Sequence, residues 1–411
     1  MKHLYLFAFS ALCIGQAAAQ AVSGTVTTGP GYADEVWYSF ENGAVHAAPA
    51  ENWDLAFQIS GFASSVRING AAGTELFAAP YAIDEWNDLD TAGMAALWPQ
   101  RHNDPTNWEA GAFNRYTTSD FDLGWGIYNM ITHQVAGDST YVIKLADGSF
   151  KKFRIDALAG GVYSFTYADL DGSNEMQGQV NKADYSGKNF GYYSLQSHEA
   201  VDREPLSTEW DLVFTRWIDF IGPDGDVPYG VTGVLHNFNV RSSRAADTPI
   251  AEADPWSFPM QDAINTIGWD WKSFDFAQGF VIEEDLSFFV EAQNGNIYHL
   301  VFTAFEGSST GVYEFIHDIA SALSAAETVR TAPLLYPNPA AGAQTVRIDA
   351  GSGALGAVRV FDLSGKQVFA QRTAETGQAA VIPAGRLSPG TYLVHLEGDF
   401  GTGVQKLIIT N

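Results

Sequence analysis

The chain has 411 residues, is 46% hydrophobic and 13% aromatic, and carries 48 acidic against 22 basic residues, a formal net charge of −26. That balance excludes nucleic acid and anionic membrane surfaces as charge-driven partners, since both need clustered Lys and Arg. The length suffices for two or three domains with cores of their own, and 40 glycines among few charges point to an all-β chain with many turns.

Residues 1–19 read as a signal peptide. Lys2 and His3 make a short basic start, Leu4 to Ile14 is an apolar run, and Ala17-Ala18-Ala19 supplies small residues. Cleavage is expected between Ala19 and Gln20, after passage through the Sec translocon. The single cysteine, Cys13, lies inside this segment, and Leu12 before it does not suit lipoprotein processing. The mature chain is therefore expected to lack disulfides and thiol chemistry. No later stretch has the length of a transmembrane helix.

A first repeat spans residues 21–179. The run Val36-Trp37-Tyr38-Ser39-Phe40 predicts a strand and is followed by Trp53-Asp54-Leu55-Ala56-Phe57. Period-two alternation would put Trp53, Leu55 and Phe57 on one face of a half-buried strand, with Asp54 on the other. Asn69-Gly70-Ala71-Ala72-Gly73 is a turn, and residues 80–122 read as a loose, Trp- and Asn-rich excursion. Gly124-Trp125 opens a new strand region. Tyr141–Leu145 and Phe150–Ile155 flank Asp147-Gly148, a hairpin signal because both residues tolerate positive φ. Gly161 to Tyr167 closes the repeat.

Residues 180–328 repeat this order. Tyr192-Tyr193-Ser194-Leu195 precedes Trp210-Asp211-Leu212-Val213-Phe214. Gly230–Gly233 is matched to Gly70–Gly73, Gly268-Trp269 to Gly124-Trp125, Asn294-Gly295 to the first hairpin turn, and Gly311-Val312-Tyr313 to Gly161-Val162-Tyr163. Whether the copies make two domains or two halves of one body stays open. A linker covers residues 329–334. Residues 335–411 then carry short alternating strands that predict a small β-sandwich.

The last segment resembles the C-terminal sorting domain of type IX secretion in Bacteroidota. The resemblance is carried by Tyr336-Pro337-Asn338-Pro339, by Val358 to Val368, by Leu387-Ser-Pro-Gly390-Thr391-Tyr392-Leu-Val394, and by the closing Lys406-Leu-Ile-Ile409. It implies export across the outer membrane by the type IX machinery, removal of the domain, and a secreted or surface-held product. Pro337, Asn338, Pro339, Gly390, Thr391, Tyr392 and Lys406 are the positions that match its motifs. The two repeats resemble HmuY-like surface proteins through the Tyr-Ser-Phe strand, the Trp-Asp-Leu-Ala-Phe strand and the late Asp-Gly hairpin. That resemblance implies tandem antiparallel β modules, and some relatives hold haem between axial side chains.

Among the histidines, His102 and His133 are the candidate haem ligands, because they lie in the aromatic first-repeat excursion near Trp98, Trp108, Trp125 and Met130. Repeat two has no histidine in the matching stretch. No His or Cys spacing suits a metal. Asp169 to Glu175 is oxygen-rich, yet its Gly stands at the fourth position and not the sixth, so it reads as a turn. No nucleophile elbow or phosphate loop occurs, and no catalytic residue is expected. Trp86, Trp98, Trp108, Trp125, Trp256, Trp269 and Trp271 are candidates for sugar stacking or for core. The leading reading is a binding protein for haem or another small ligand. A non-catalytic adhesion module for glycan or protein is the alternative, and a secreted hydrolase is third.

Overall fold

The computed structural model describes residues 21–60, 64–321, 334–341, 344–349, 355–362, 366–372, 379–398 and 401–410. The signal-peptide positions Ala17, Ala19 and Gln20 and linker residues 329–333 lie outside them. The chain is all-β and divides into one unit ending at Leu323 and another starting at Ser324.

The first unit contains four principal sheets, paired in two halves. In one half, the sheet Glu199–Val201, Phe190–Ser194, Leu55–Gln58, Val66–Ile68 packs on a larger sheet that includes Met176–Asn181, Val162–Asp169, Phe150–Ala159, Ser139–Lys144 and Glu75–Ala82. Leu55, Phe57, Tyr163, Phe165 and Tyr193 fill the core between them. In the other half, the sheet Gly43–Pro49, Asp34–Ser39, Leu212–Ile221, Val227–His236 packs on Val22–Thr27, Val312–Ser321, Ile297–Phe305, Ser287–Glu291, Arg241–Ala245. Here Tyr38, Leu212, Phe214, Tyr313 and Phe315 fill the core. The two halves share one strand order, with Leu55 paired to Tyr193 as Leu212 is paired to Tyr38.

The first strands of the chain complete the half made mostly of late residues. Val22–Thr27 pairs with Val312–Ser321, and Asp34–Ser39 pairs with Leu212–Ile221. Residues 176–201 play the same part for the early half. Both joining strands carry a glycine where an aromatic ring lies flat against the backbone. A Cβ on Gly24 would meet the Phe315 ring at 2.2 Å, and one on Gly178 would meet Phe165 at 2.1 Å. The folded halves are thus residues 51–203, and residues 21–50 together with 207–321.

Two matches drawn from the sequence change. Gly230 and Gly233 sit inside the strand Val227–His236. The counterpart of Asn69 is Asn237: Asn69 donates through its side chain to the carbonyls of Ala50 and Trp53, and Asn237 donates to those of Ser207 and Trp210. Trp125 corresponds to Trp271, not Trp269. Each is fully buried and stands immediately before a hairpin strand, Gly126–Asn129 or Lys272–Asp275. The Asp-Gly and Asn-Gly turns do close their hairpins, with Gly148 and Gly295 at positive φ.

The second unit is a two-sheet sandwich. Leu334–Tyr336, Thr345–Asp349 and Ala379–Pro383 form one sheet. Ala340–Ala341, Gly401–Thr410, Gly390–Gly398, Leu355–Asp362 and Gln367–Arg372 form the other. Its core of Val346, Ile348, Val358, Val360, Val394 and Leu407 is its own. Asn338 stands between two prolines that have no N–H to give. Its side chain donates to the Lys406 carbonyl at 2.6 Å and accepts the Ile408 N–H at 3.0 Å, tying the motif to the last strand. The Tyr392 hydroxyl donates to the Ser388 carbonyl at 2.6 Å.

Candidate functional site

The repeated Trp-Asp strands are buried on both faces, and the second face makes the site. Every residue of Leu55–Gln58 is buried. Leu55 and Phe57 enter the core of their half, whereas Ala56 turns the opposite way, with Trp53, Phe190, Tyr192 and Trp108 around it. Trp53 therefore does not share a face with Leu55 and Phe57, because it precedes the strand and follows the backbone's bend. In the other half, Phe214 enters the core while Val213 turns to Trp37, Trp210 and Trp217. These two outer faces meet through Trp108, whose indole donates to the His236 carbonyl at 2.9 Å.

A cavity of about 90 Å³ lies between the two faces, lined by Trp37, Trp53, Trp108, Trp210 and Trp217 with Arg67, Glu35 and Glu204 among them. The neighbouring charges are engaged. Arg203, just outside the lining, pairs with Glu35 and donates to Asn52 at 3.0 Å and to the Pro49 carbonyl at 2.9 Å. Its guanidinium lies 5.3 Å from the Trp37 ring centre and 5.6 Å from that of Trp53. Thr215 donates to the second oxygen of Glu35 at 2.6 Å. Glu204 accepts the backbone N–H of Phe190 at 2.7 Å and the Tyr192 hydroxyl at 2.7 Å. Burial pushes the Glu204 carboxyl up to about 7 against these bonds.

Arg67 is different. It is buried, and it donates to three backbone carbonyls, those of Asn107 at 2.7 Å, Trp108 at 3.1 Å and Asp104 at 3.1 Å. Burial brings its guanidinium down to about 10. The loop 103–109 is thereby wrapped around one cation, which explains why the irregular excursion after residue 80 holds a fixed path.

The predicted haem ligands do not converge. His102 lines the cavity, edge-on to Phe220 at 5.5 Å. Burial, with Arg115 nearby, lowers its pKa and keeps the imidazole neutral at pH 7. His133 sits in the exposed turn between Gly126–Asn129 and Gln134–Gly137, bonded through Nδ1 to the Tyr128 hydroxyl at 2.9 Å. An engineered cavity of about 150 Å³ accepts benzene. The smaller space here does not fit a porphyrin, which is several times larger than benzene. Among the described residues no three metal-ligating side chains come together. Asp169 pairs with Lys151 and accepts from Asn174 at 2.6 Å, as a closed turn does.

Of the tryptophans named from the sequence, Trp108 reaches the cavity, Trp125 and Trp271 are core, and Trp256 is exposed. The sequence pointed to no role for Arg67, Glu204, Arg203, Trp37 or Trp217. A usable signal was present: Trp37 and Trp217 break the period-two rule by placing a large ring on the face opposite the core.

No curated protein matches the chain. No described helix is long and apolar enough to cross a membrane. Residues 334–410 match the family model of the secretion system C-terminal sorting domain. The chain therefore ends in a type IX secretion sorting domain, which engages that machinery and makes this a secreted or cell-surface protein.

Proposed function

We propose that residues 21–321 are a duplicated, HmuY-like body that binds a small ligand outside the cell and catalyses nothing. The observation that carries this reading is the tryptophan-lined cavity between the halves. A ring-lined space with a few placed polar groups is the usual form of a small-molecule site. Binding is preferred to catalysis because both lining carboxylates are already committed, Glu35 to Arg203 and Thr215, Glu204 to Phe190 and Tyr192. Haem is not the favoured ligand, given the size of the space and the separate placing of His133.

Tryptophan emission and thermal melting of the mature protein, titrated with small sugars, carboxylates, amides and haem, test the reading. A saturable emission change with a raised melting temperature is expected from a small ligand, and no saturable Soret band from haem. A flat response to every small ligand, with retention on immobilised glycans, would replace the cavity reading by adhesion.

A further inference from the structure

The polar atoms of the cavity wall that lack partners are all of one kind. Among the described residues, the buried side-chain atoms without a hydrogen bond include the indole Nε1 of Trp53, Trp210 and Trp217 and the Nε of Arg216, and each of these residues lines the cavity. All four are donors. No unpartnered acceptor among the described residues belongs to the wall. Buried donors are normally satisfied, so four in one wall signal a missing acceptor.

The charge balance agrees. No carboxylate of the described residues forms an ion pair with Arg67, whose partners are the three carbonyls of its loop. Among the described residues, Glu35 is paired with Arg203, and Arg216 is paired at its far end with the exposed Glu51. Inside a chain of net charge −26, the wall thus offers unpartnered donors around a cation that no described carboxylate bonds directly. Asp104 supports the Arg67 charge from nearby without an ion pair, and an anion bonded directly to it would support that charge further.

We infer that the ligand is a small organic carboxylate, its oxygens accepting from the free indole N–H groups and facing Arg67 while its body lies on the tryptophan rings. This rests on the binding reading above and narrows it to one chemical class.

The test uses the full mature chain at constant ionic strength. Acetate, propionate, lactate and benzoate are titrated beside acetamide, propionamide, lactamide and benzamide, read by tryptophan emission and melting temperature. At least one carboxylate should bind about tenfold or more tightly than its amide, the usual gain for hydrogen bonds to a charged group. Trp217→Phe keeps the ring and removes the N–H, and should weaken that carboxylate about fivefold or more and its amide by a smaller factor. Arg67→Gln should abolish the preference for charge, and Trp217→Phe serves alone if that variant does not fold. Equal or tighter binding of the amides would overturn the inference and leave the small-ligand reading standing. Carboxylate binding untouched by the Trp217 change would also overturn it, by placing the anion elsewhere. No response to any member would overturn both.

Discussion

The carboxylate of Asp211 accepts the backbone N–H of Phe40 at 2.9 Å, across 171 residues of chain. Its other oxygen accepts the Gln293 N–H at 2.9 Å. Asp54 does the same in the early half, accepting the Leu195 N–H at 2.8 Å and the Ser194 hydroxyl at 3.2 Å. Both carboxylates are buried, and burial raises their pKa. The Asp of the repeated Trp-Asp pair is thus a clamp that fixes a joining strand to its half.

Asp211→Ala leaves a buried N–H, that of Phe40, and a half-buried one, that of Gln293, without acceptors, at about 1–3 kcal/mol for a fully buried group. A loss of roughly 2–5 kcal/mol in urea unfolding is expected, with a smaller loss for Asp54→Ala, which orphans one backbone donor. A loss below about 1 kcal/mol for Asp211→Ala would show that water replaces the carboxylate.

The way the joining strands cross predicts which fragments fold. Residues 51–203 contain both sheets of the early half and its whole core. Expressed alone, they should give a cooperative melt and a near-ultraviolet circular dichroism signal. The sequence repeat 21–179 should not, because it lacks Phe190–Ser194, leaves Val22–Thr27 with no partner and leaves Asp34–Ser39 paired on one side only. Equal order in both fragments would contradict the exchange.

Glu204 makes stability depend on pH. The unfolded carboxyl loses its proton near 4.5 and the folded one near 7. Between these values the folded state holds a proton that the unfolded state has released. Its stabilising effect is complete below about 4.5 and is lost as pH rises through 7, amounting to about 3 kcal/mol. Comparing Glu204→Gln with the parent chain isolates this group from the other carboxylates. The difference between them should grow between pH 5 and pH 8. Lys272, which burial pushes down to about 7, acts in the opposite sense above this window: the unfolded chain then holds the proton, and stability from this group rises with pH towards 10.5.

Deleting residues 334–411 should leave the first unit folded and stop export. The sandwich has its own core, so the melt of the remaining chain should match that of the first unit in the full protein. Cell fractionation should find the shortened protein in the periplasm. Normal release into the medium would contradict the sorting role of this domain.

The strands and their turns were legible because alternation and Asp-Gly pairs are local signals. Tyr141–Leu145, Phe150–Ile155 and the Gly148 turn stand close to where the pattern put them. The tail was legible for the same reason, through Asn338, Tyr392 and Lys406. Pairing across the chain was not. Nothing near Val22 says that its partner is His317, since register between distant strands depends on which faces must be covered. The site was hidden by a related ambiguity. Alternation marks one apolar face, and the second apolar face that Trp37, Val213 and Trp217 build reads as a lapse in the pattern. Arg67 carried no signal in the sequence, because the carbonyls that hold it come from Asp104, Asn107 and Trp108, distant along the chain.

The exchange also sets a timetable. Thr28 donates its backbone N–H to the Gly311 carbonyl at 2.9 Å, and the two residues stand 283 apart. At synthesis rates of about 5–20 residues per second, the opening strands wait roughly 15–60 s for the strand that will cover them. The strand bearing Trp37 and Tyr38 is paired on one side by Gly43–Pro49 and stays open on the other until Leu212–Ile221 has been made, a condition under which chains stick to one another. The half that opens the chain therefore closes last, after Val312–Ser321 has been made, while residues 51–203 can fold before it.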